Sequence, residues 1–171
     1  FSLSSGQGTM PTYRSSSSKD TRRFAKQFAE RLVKHAMRSP KRRHALVLAQ
    51  TGELGSGKTT FVQGFLRGIG VRKRSASPTF ILFRRFAIPR SRASSLRGFA
   101  NVFHVDAYRI KNPREFGKLG FKEILTDSKN IVLVEWAEKI KRSLPQNTIQ
   151  ICFTHGASEN ERRITVKPGR K

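Results

Sequence analysis

Apolar residues recur along this chain with two periods. Phe24, Ala25, Phe28, Ala29, Leu32, Val33 and Ala36 fall on one face at helical spacing, and Asp20 stands where a helix cap belongs. Ala45-Leu46-Val47-Leu48-Ala49 is a short unbroken apolar run and reads as a buried strand. The helical period returns over residues 60–69, where Phe61, Val62, Phe65, Leu66 and Ile69 share a face and Gly70 supplies the terminating glycine. Gly64 and Gly68 weaken that helix slightly without overturning it. Strands are predicted at residues 80–83, at 102–106 and at Ile131-Val132-Leu133-Val134. Asn112-Pro113-Arg114-Glu115 is a helix start, with an asparagine cap, proline at the first helical position and a glutamate completing a capping-box pattern; Gly120 can end that helix. Pro145 stops a short helix. Ile149, Ile151 and Phe153 alternate, as do Ile164 and Val166, which predicts two antiparallel strands joined by a polar turn over residues 155–161.

Composition changes the picture at the ends and in one insertion. Residues 1–19 carry seven serines, two basic residues and no acid, and read as a disordered tail that also fits a transit-peptide remnant. Residues 84–100 read as a basic, irregular surface insertion, and residues 167–171 as a basic tail. The 171 residues suit one domain, placed at 20–166. Lysine and arginine total 35 against 11 acids, a formal net charge of +24, so anionic partners such as nucleic acid or an acidic protein surface are expected. A single cysteine, Cys152, excludes an internal disulfide framework and a cysteine-based zinc site. The four histidines lack metal-ligand spacing; His104 shares a strand side with Asp106, which leaves a site role open to it. No apolar stretch approaches the length needed to span a bilayer and no secretory leader stands out, so the expectation is a cytoplasmic protein, or one of an organelle matrix, with no membrane partner.

The candidate chemistry lies between the first strand and the second helix. Gly52-Glu53-Leu54-Gly55-Ser56-Gly57-Lys58-Thr59 is a complete phosphate-binding loop, followed by Thr60. Gly52, Gly55 and Gly57 let the backbone bend so that its N–H groups, with those of Ser56, Thr59 and Thr60, converge on phosphate oxygens at a helix N-terminus. Lys58 would reach the β- and γ-phosphates, and the Thr59 hydroxyl would ligate Mg²⁺. Such a loop also needs an acid at the end of a neighbouring buried strand, and Asp106 and Glu135 both end apolar runs. Ser77 and Thr79, in a Ser-Pro-Thr turn, offer hydroxyls to a γ-phosphate or an attacking water.

Together these stretches resemble the bacterial TsaE (YjeE) family. The resemblance rests on the loop with Thr60, on Ser77-Pro78-Thr79-Phe80, on His104-Val105-Asp106-Ala107-Tyr108-Arg109 and on Leu133-Val134-Glu135-Trp136, in that order. Asp20-Thr21 and Leu119-Gly120-Phe121 fit as well. It implies an α/β, P-loop NTPase-like fold of one domain, with a mixed, mostly parallel sheet flanked by helices. It implies ATP on the loop, Mg²⁺ held by Thr59 and Glu135, and Asp106 as a catalytic acid that contacts the metal or orients water. Ser77 and Thr79 would belong to a switch-like segment, and Trp136 would sit close to the site. The implied role is support of threonylcarbamoyladenosine modification of tRNA, with ATP hydrolysis permitting repeated turnover of a TsaD/TsaB-type complex. Contact with tRNA would be indirect or through basic loops. The chain departs from the family at Arg84-Arg85, at Ala137 where proline is common, and in the length of the basic insertion. Two other functions use the same features: a P-loop small-molecule kinase, for which no lid is visible, and a basic RNA-binding module with a non-catalytic nucleotide site, for which no RNA-binding aromatic motif is visible.

Overall fold

A computed structural model describes residues 12–37, 42–72, 83–89, 96, 98–110, 112 and 120–169. Among these, seven strands form one sheet in the order β1-β7-β6-β2-β5-β4-β3. They are β1 (Thr12–Ser15), β2 (Leu46–Thr51), β3 (Phe83–Ala87), β4 (Asn101–Asp106), β5 (Asn130–Glu135), β6 (Ile149–His155) and β7 (Arg162–Lys167). The four central strands, β6, β2, β5 and β4, run parallel, and β7, β1 and β3 are antiparallel additions at the edges. The helices are α1 (Ser18–Met37), α2 (Lys58–Gly68) and the short α3 (Phe121–Thr126), with a 3-10 helix at Ala137–Ser143. This is the mixed, mostly parallel α/β architecture expected for a single P-loop domain.

One face of the sheet is covered by α1 and α2. Phe24 and Phe28 of α1, Phe61 and Phe65 of α2 and Phe153 of β6 meet there, with Phe61 touching Phe28 at 5.8 Å and meeting Phe153 edge-on at 5.6 Å between centroids. The two helices approach closely because Gly64 and Gly68 face the α1 backbone. A Cβ at Gly64 would lie 2.4 Å from the Arg22 carbonyl oxygen, and one at Gly68 would lie 2.5 Å from that of Lys26. These glycines, expected only to weaken α2, are thus the surface on which α1 rests. The opposite face packs Val47, Ala49, Val105, Val132 and Val134 beneath α3 and the 3-10 helix.

Several expectations need correction. Residues 12–19 are not a disordered tail: β1 pairs with β7, and Tyr13 stacks on Phe24 at 4.2 Å. Asp20 is not the cap of α1. Ser17 is, since its hydroxyl accepts the Asp20 N–H at 3.1 Å, while the Asp20 carboxylate accepts the N–H of Ser16, one residue before the cap, at 3.2 Å. The basic insertion at 84–100 is not wholly irregular. β3 runs through it, paired with β4, and Phe86, Ile88, Leu96 and Phe99 are buried in the core. Its arginines hid a strand because an edge strand solvates one face. The basic tail starts later than 167, as Lys167 still pairs with Gln150. Gly120 takes a left-handed φ of 71° at the head of α3, while the body of the helix expected from Asn112 lies outside the described residues, as do residues 80–82 of the strand expected at 80–83.

Candidate functional site

The carboxyl ends of the parallel strands converge at one edge of the sheet. β2 leads directly into the loop of residues 52–59, whose Gly52, Gly55 and Gly57 take φ values of 139°, 73° and 100°. At Gly52 a side chain is excluded on space as well, because a Cβ would sit 2.4 Å from the Phe153 carbonyl oxygen. α2 begins at Lys58 with no side-chain cap and no acid in its first turn. Its free N–H groups and the positive end of its dipole therefore face the loop, the arrangement that binds phosphate. Ser56 is buried, and Thr60 occupies the first turn of α2 beside Thr59.

Lys58 is only 4% exposed. Its ammonium donates to the carbonyls of Gly52 (2.7 Å) and Glu53 (2.8 Å) and lies 3.8 Å above the Trp136 ring. Burial lowers its pKa below the ordinary lysine value, and the carboxylates of Glu135, Glu138 and Asp106 oppose that shift. Trp136 reaches this position through a left-handed backbone, φ 57° and ψ 42°, the one positive φ outside glycine among the described residues. Its ring also meets Tyr108 at 4.9 Å.

Next to the lysine, the Thr59 hydroxyl donates to Glu135 Oε2 at 2.7 Å. The other carboxylate oxygen, Oε1, is 2.7 Å from His104 Nε2, and both side chains are buried. Asp106 is paired in register with Glu135 on the adjacent parallel strand, half-buried, and its Oδ1 accepts the Tyr108 N–H at 3.0 Å. Strand-end acids one strand apart sit about 5 Å from each other along the backbone. A hydroxyl and a carboxylate already in contact, with a second acid alongside, form an oxygen donor set of the kind magnesium uses. That ion takes one or two protein carboxylates and leaves its remaining positions to phosphate and water. Among the described residues there is no group of three or more His, Cys, Asp or Glu side chains that could hold a metal without such help.

Other contacts here were not anticipated from the sequence. The β6–β7 hairpin folds over the loop: Arg162 donates from Nε to the Gly55 carbonyl at 3.1 Å, and His155 Nε2 lies 3.3 Å from the Leu54 carbonyl. Thr21 of α1 hydrogen-bonds Ser15 at 2.7 Å, and its methyl group would lie 3.9 Å from a Cβ placed at Gly57. Gln50, wholly buried beside Glu135 in the strand register, has neither amide atom hydrogen-bonded. Only His104 had a local signal, its two-residue spacing from Asp106. Glu53 points away from the site, 85% exposed and 3.9 Å from His155. Cys152 is half-buried on β6 and accepts the Thr51 hydroxyl at 3.4 Å, in keeping with an inert strand thiol. Ser77 and Thr79 lie outside the described residues.

Residues 15–164 match the family model "Threonylcarbamoyl adenosine biosynthesis protein TsaE". Among curated proteins, the tRNA threonylcarbamoyladenosine biosynthesis protein TsaE of Bacillus subtilis is 36% identical over 119 residues, 70% of this chain and 67% of that protein. The protein of the same name from Rickettsia prowazekii is 35% identical over 136 residues, 79% of this chain and 80% of that one. Among solved structures, YdiB of Bacillus subtilis superposes with a TM-score of 0.66 at 25% identity, covering 97% of this chain and 90% of that one.

Proposed function

The chain belongs to the TsaE family of threonylcarbamoyl adenosine biosynthesis proteins, and from that premise we propose that it is a Mg²⁺-dependent ATPase supporting threonylcarbamoyladenosine modification of tRNA. The observation that carries the reading is the Thr59–Glu135 hydrogen bond of 2.7 Å at the uncapped start of α2, directly beside the buried Lys58. A hydroxyl, a carboxylate and an ammonium gathered at a helix N-terminus serve the charge of a polyphosphate.

On this reading the N–H groups of residues 52–60 hold the phosphates. Lys58 gives up the Gly52 and Glu53 carbonyls for the β- and γ-phosphate oxygens and regains there the charge stabilisation that burial denies it. Thr59 and Glu135 would hold Mg²⁺, which when bound neutralises charge on the β- and γ-phosphates. His104 fixes the orientation of Glu135. Asp106 orients the attacking water and can accept its proton, and Ser77 and Thr79 would act as a switch segment at the γ-phosphate. Trp136 covers the Lys58 side of the site. Hydrolysis would then be coupled to repeated turnover of a TsaD/TsaB-type complex, in the cytoplasm or an organelle matrix.

The test is reconstitution. TsaD and TsaB, tRNA and a threonylcarbamoyl donor are supplied without their own ATPase, and this chain is added with Mg-ATP. Several modified tRNAs per complex are expected, falling to one or fewer with Lys58→Ala. ATP hydrolysis that survives Lys58→Ala would falsify the site assignment; hydrolysis without rescue would remove the proposed partner.

A further inference from the structure

Away from the nucleotide site, α1 and α2 enclose a second concavity. It has a volume of about 480 Å³ and is lined by Lys19, Arg22, Arg23 and Lys26 of α1, by Arg67 of α2, and by Ser16, Ser17 and Asp20 at the head of α1. Five cations thus face one acid. That acid is already committed: Asp20 accepts hydrogen bonds from Tyr13 and the Ser16 N–H and pairs with Arg23. Gly64 and Gly68 create the groove, because by drawing α2 onto the α1 backbone they bring Arg67 to the side of α1 that carries Arg22 and Lys26.

We propose that this groove binds the phosphate backbone of RNA. The inference deepens the tRNA-linked reading above by locating a direct contact. Three observations select this occupant. First, every lining side chain is charged or carries a hydroxyl, and the apolar surface in the groove comes from the methylene stems of its lysines and arginines. Protein–protein interfaces have cores that are apolar and depleted in charge, whereas nucleic-acid interfaces are strongly positive. Secondly, the lining contains no aromatic ring on which a base would stack, so contact is with backbone and carries little sequence preference. Thirdly, the cations are spaced for a polyphosphate. Lys19 to Lys26 spans about 10 Å at the helical rise of about 1.5 Å per residue, long enough to meet a few successive phosphates, which lie about 3.4 Å apart along one strand of duplex DNA. None of the lining residues belongs to the phosphate loop, so RNA bound here does not occupy the nucleotide site.

The experiment measures binding of a labelled, unmodified tRNA transcript by fluorescence anisotropy from 50 to 300 mM KCl. A fourfold variant, Lys19→Gln, Arg22→Gln, Lys26→Gln and Arg67→Gln, is compared with a control that loses the same charge from the other face of the sheet. The control is Lys122→Gln, Lys129→Gln, Lys141→Gln and Arg142→Gln, all exposed on or beside α3 and the 3-10 helix. The groove variant should weaken binding about tenfold or more and reduce the log–log salt slope by about 3, as expected when close to four phosphate contacts are lost. The control should change affinity less than twofold. Equal weakening in both would show diffuse attraction to a basic protein and overturn the proposal, as would no weakening in the groove variant. Displacement of the tRNA by poly-glutamate of equal charge at equal concentration would also overturn it, in favour of an acidic protein partner. Should the fourfold variant lose its cooperative melt, Lys26→Glu alone carries the test, with a loss of at least threefold expected and no loss counting against the site. Intact ATP hydrolysis in the groove variant separates this inference from the site assignment. Groove-dependent tRNA binding in a chain that hydrolyses no ATP would leave this inference standing and remove the ATPase.

Discussion

Glu135 sits between two partners, and each fixes one of its oxygens. With Thr59 on Oε2 and His104 on Oε1, the carboxylate has no rotational freedom left. His104→Leu keeps the strand apolar but frees Oε1, and loss of such a supporting contact typically costs 10–100-fold in metal affinity. The expected outcome is an approximately tenfold higher Mg²⁺ requirement for ATP binding, read from the fluorescence of Trp136, the only tryptophan in the chain. An unchanged requirement would make His104 a packing residue. A second expectation concerns Tyr13. Burial raises its pKa above the ordinary value of 10.0, with Asp20 adding to the shift and Arg23 opposing it. A phenol held neutral in the fold contributes stability that is complete below pH 10 and is lost as pH rises through the folded-state value. The melting temperature should therefore fall more steeply above pH 10 in the native chain than in Tyr13→Phe, and parallel curves would refute the coupling. At this scale the sequence was legible where chemistry is local. Lys58 and Thr59 are read from one short run, and Asp106 and Glu135 from the ends of two apolar runs. Arg162 was not legible, because its partner, Gly55, lies 107 positions away and its own neighbourhood looks like any basic turn.

Among the elements, the α1–α2 contact shows two effects of opposite sign on one residue. Alanine at Gly64 gains up to about 1 kcal/mol of helix propensity. Its methyl group, however, would lie 2.4 Å from the Arg22 carbonyl oxygen and 2.8 Å from the Ala25 Cβ, and both are held by the packed helix. Overpacking of this kind costs about 1–3 kcal/mol, so it outweighs propensity. Gly64→Ala should lower the urea midpoint, corresponding to about 1–2 kcal/mol of lost stability at unchanged slope. A raised midpoint would mean that the helices separate freely. Long periodic elements were readable: α1, β2, α2 and β5 stand where their apolar spacing puts them. β1 and β3 were not. Each is a short edge strand with exposed polar or basic residues on one side, and each draws its stability from a distant partner, β7 or β4, which no local window contains.

For the molecule as a whole, a formal charge of +24 on 171 residues opposes compaction. Charges separated by more than about 10 Å are screened at roughly 0.1 M salt. Raising KCl from 50 to 300 mM without ligand should therefore stabilise the fold by about 1 kcal/mol, seen as a rise in melting temperature of about 2–4 °C. A flat or falling melting temperature would show that local pairing has already neutralised the repulsion. No helix among the described residues is long and apolar enough to cross a membrane. The order in which the chain is made meets the architecture at one point, the guanidinium of Arg162. It holds Gly55 through Nε while Nη1 ties down the Glu159 and Glu161 carbonyls. A ribosome releases the whole motif at residues 52–59 long before residue 162 has been translated. Until the β6–β7 hairpin closes, the emerging polypeptide carries the phosphate-loop motif without its clasp. Nascent chains halted before that arginine should not retain labelled ATP, and full-length ones should. On the proposed reading, affinity for nucleotide then waits on the closing of the β6–β7 hairpin over a loop made about a hundred residues earlier.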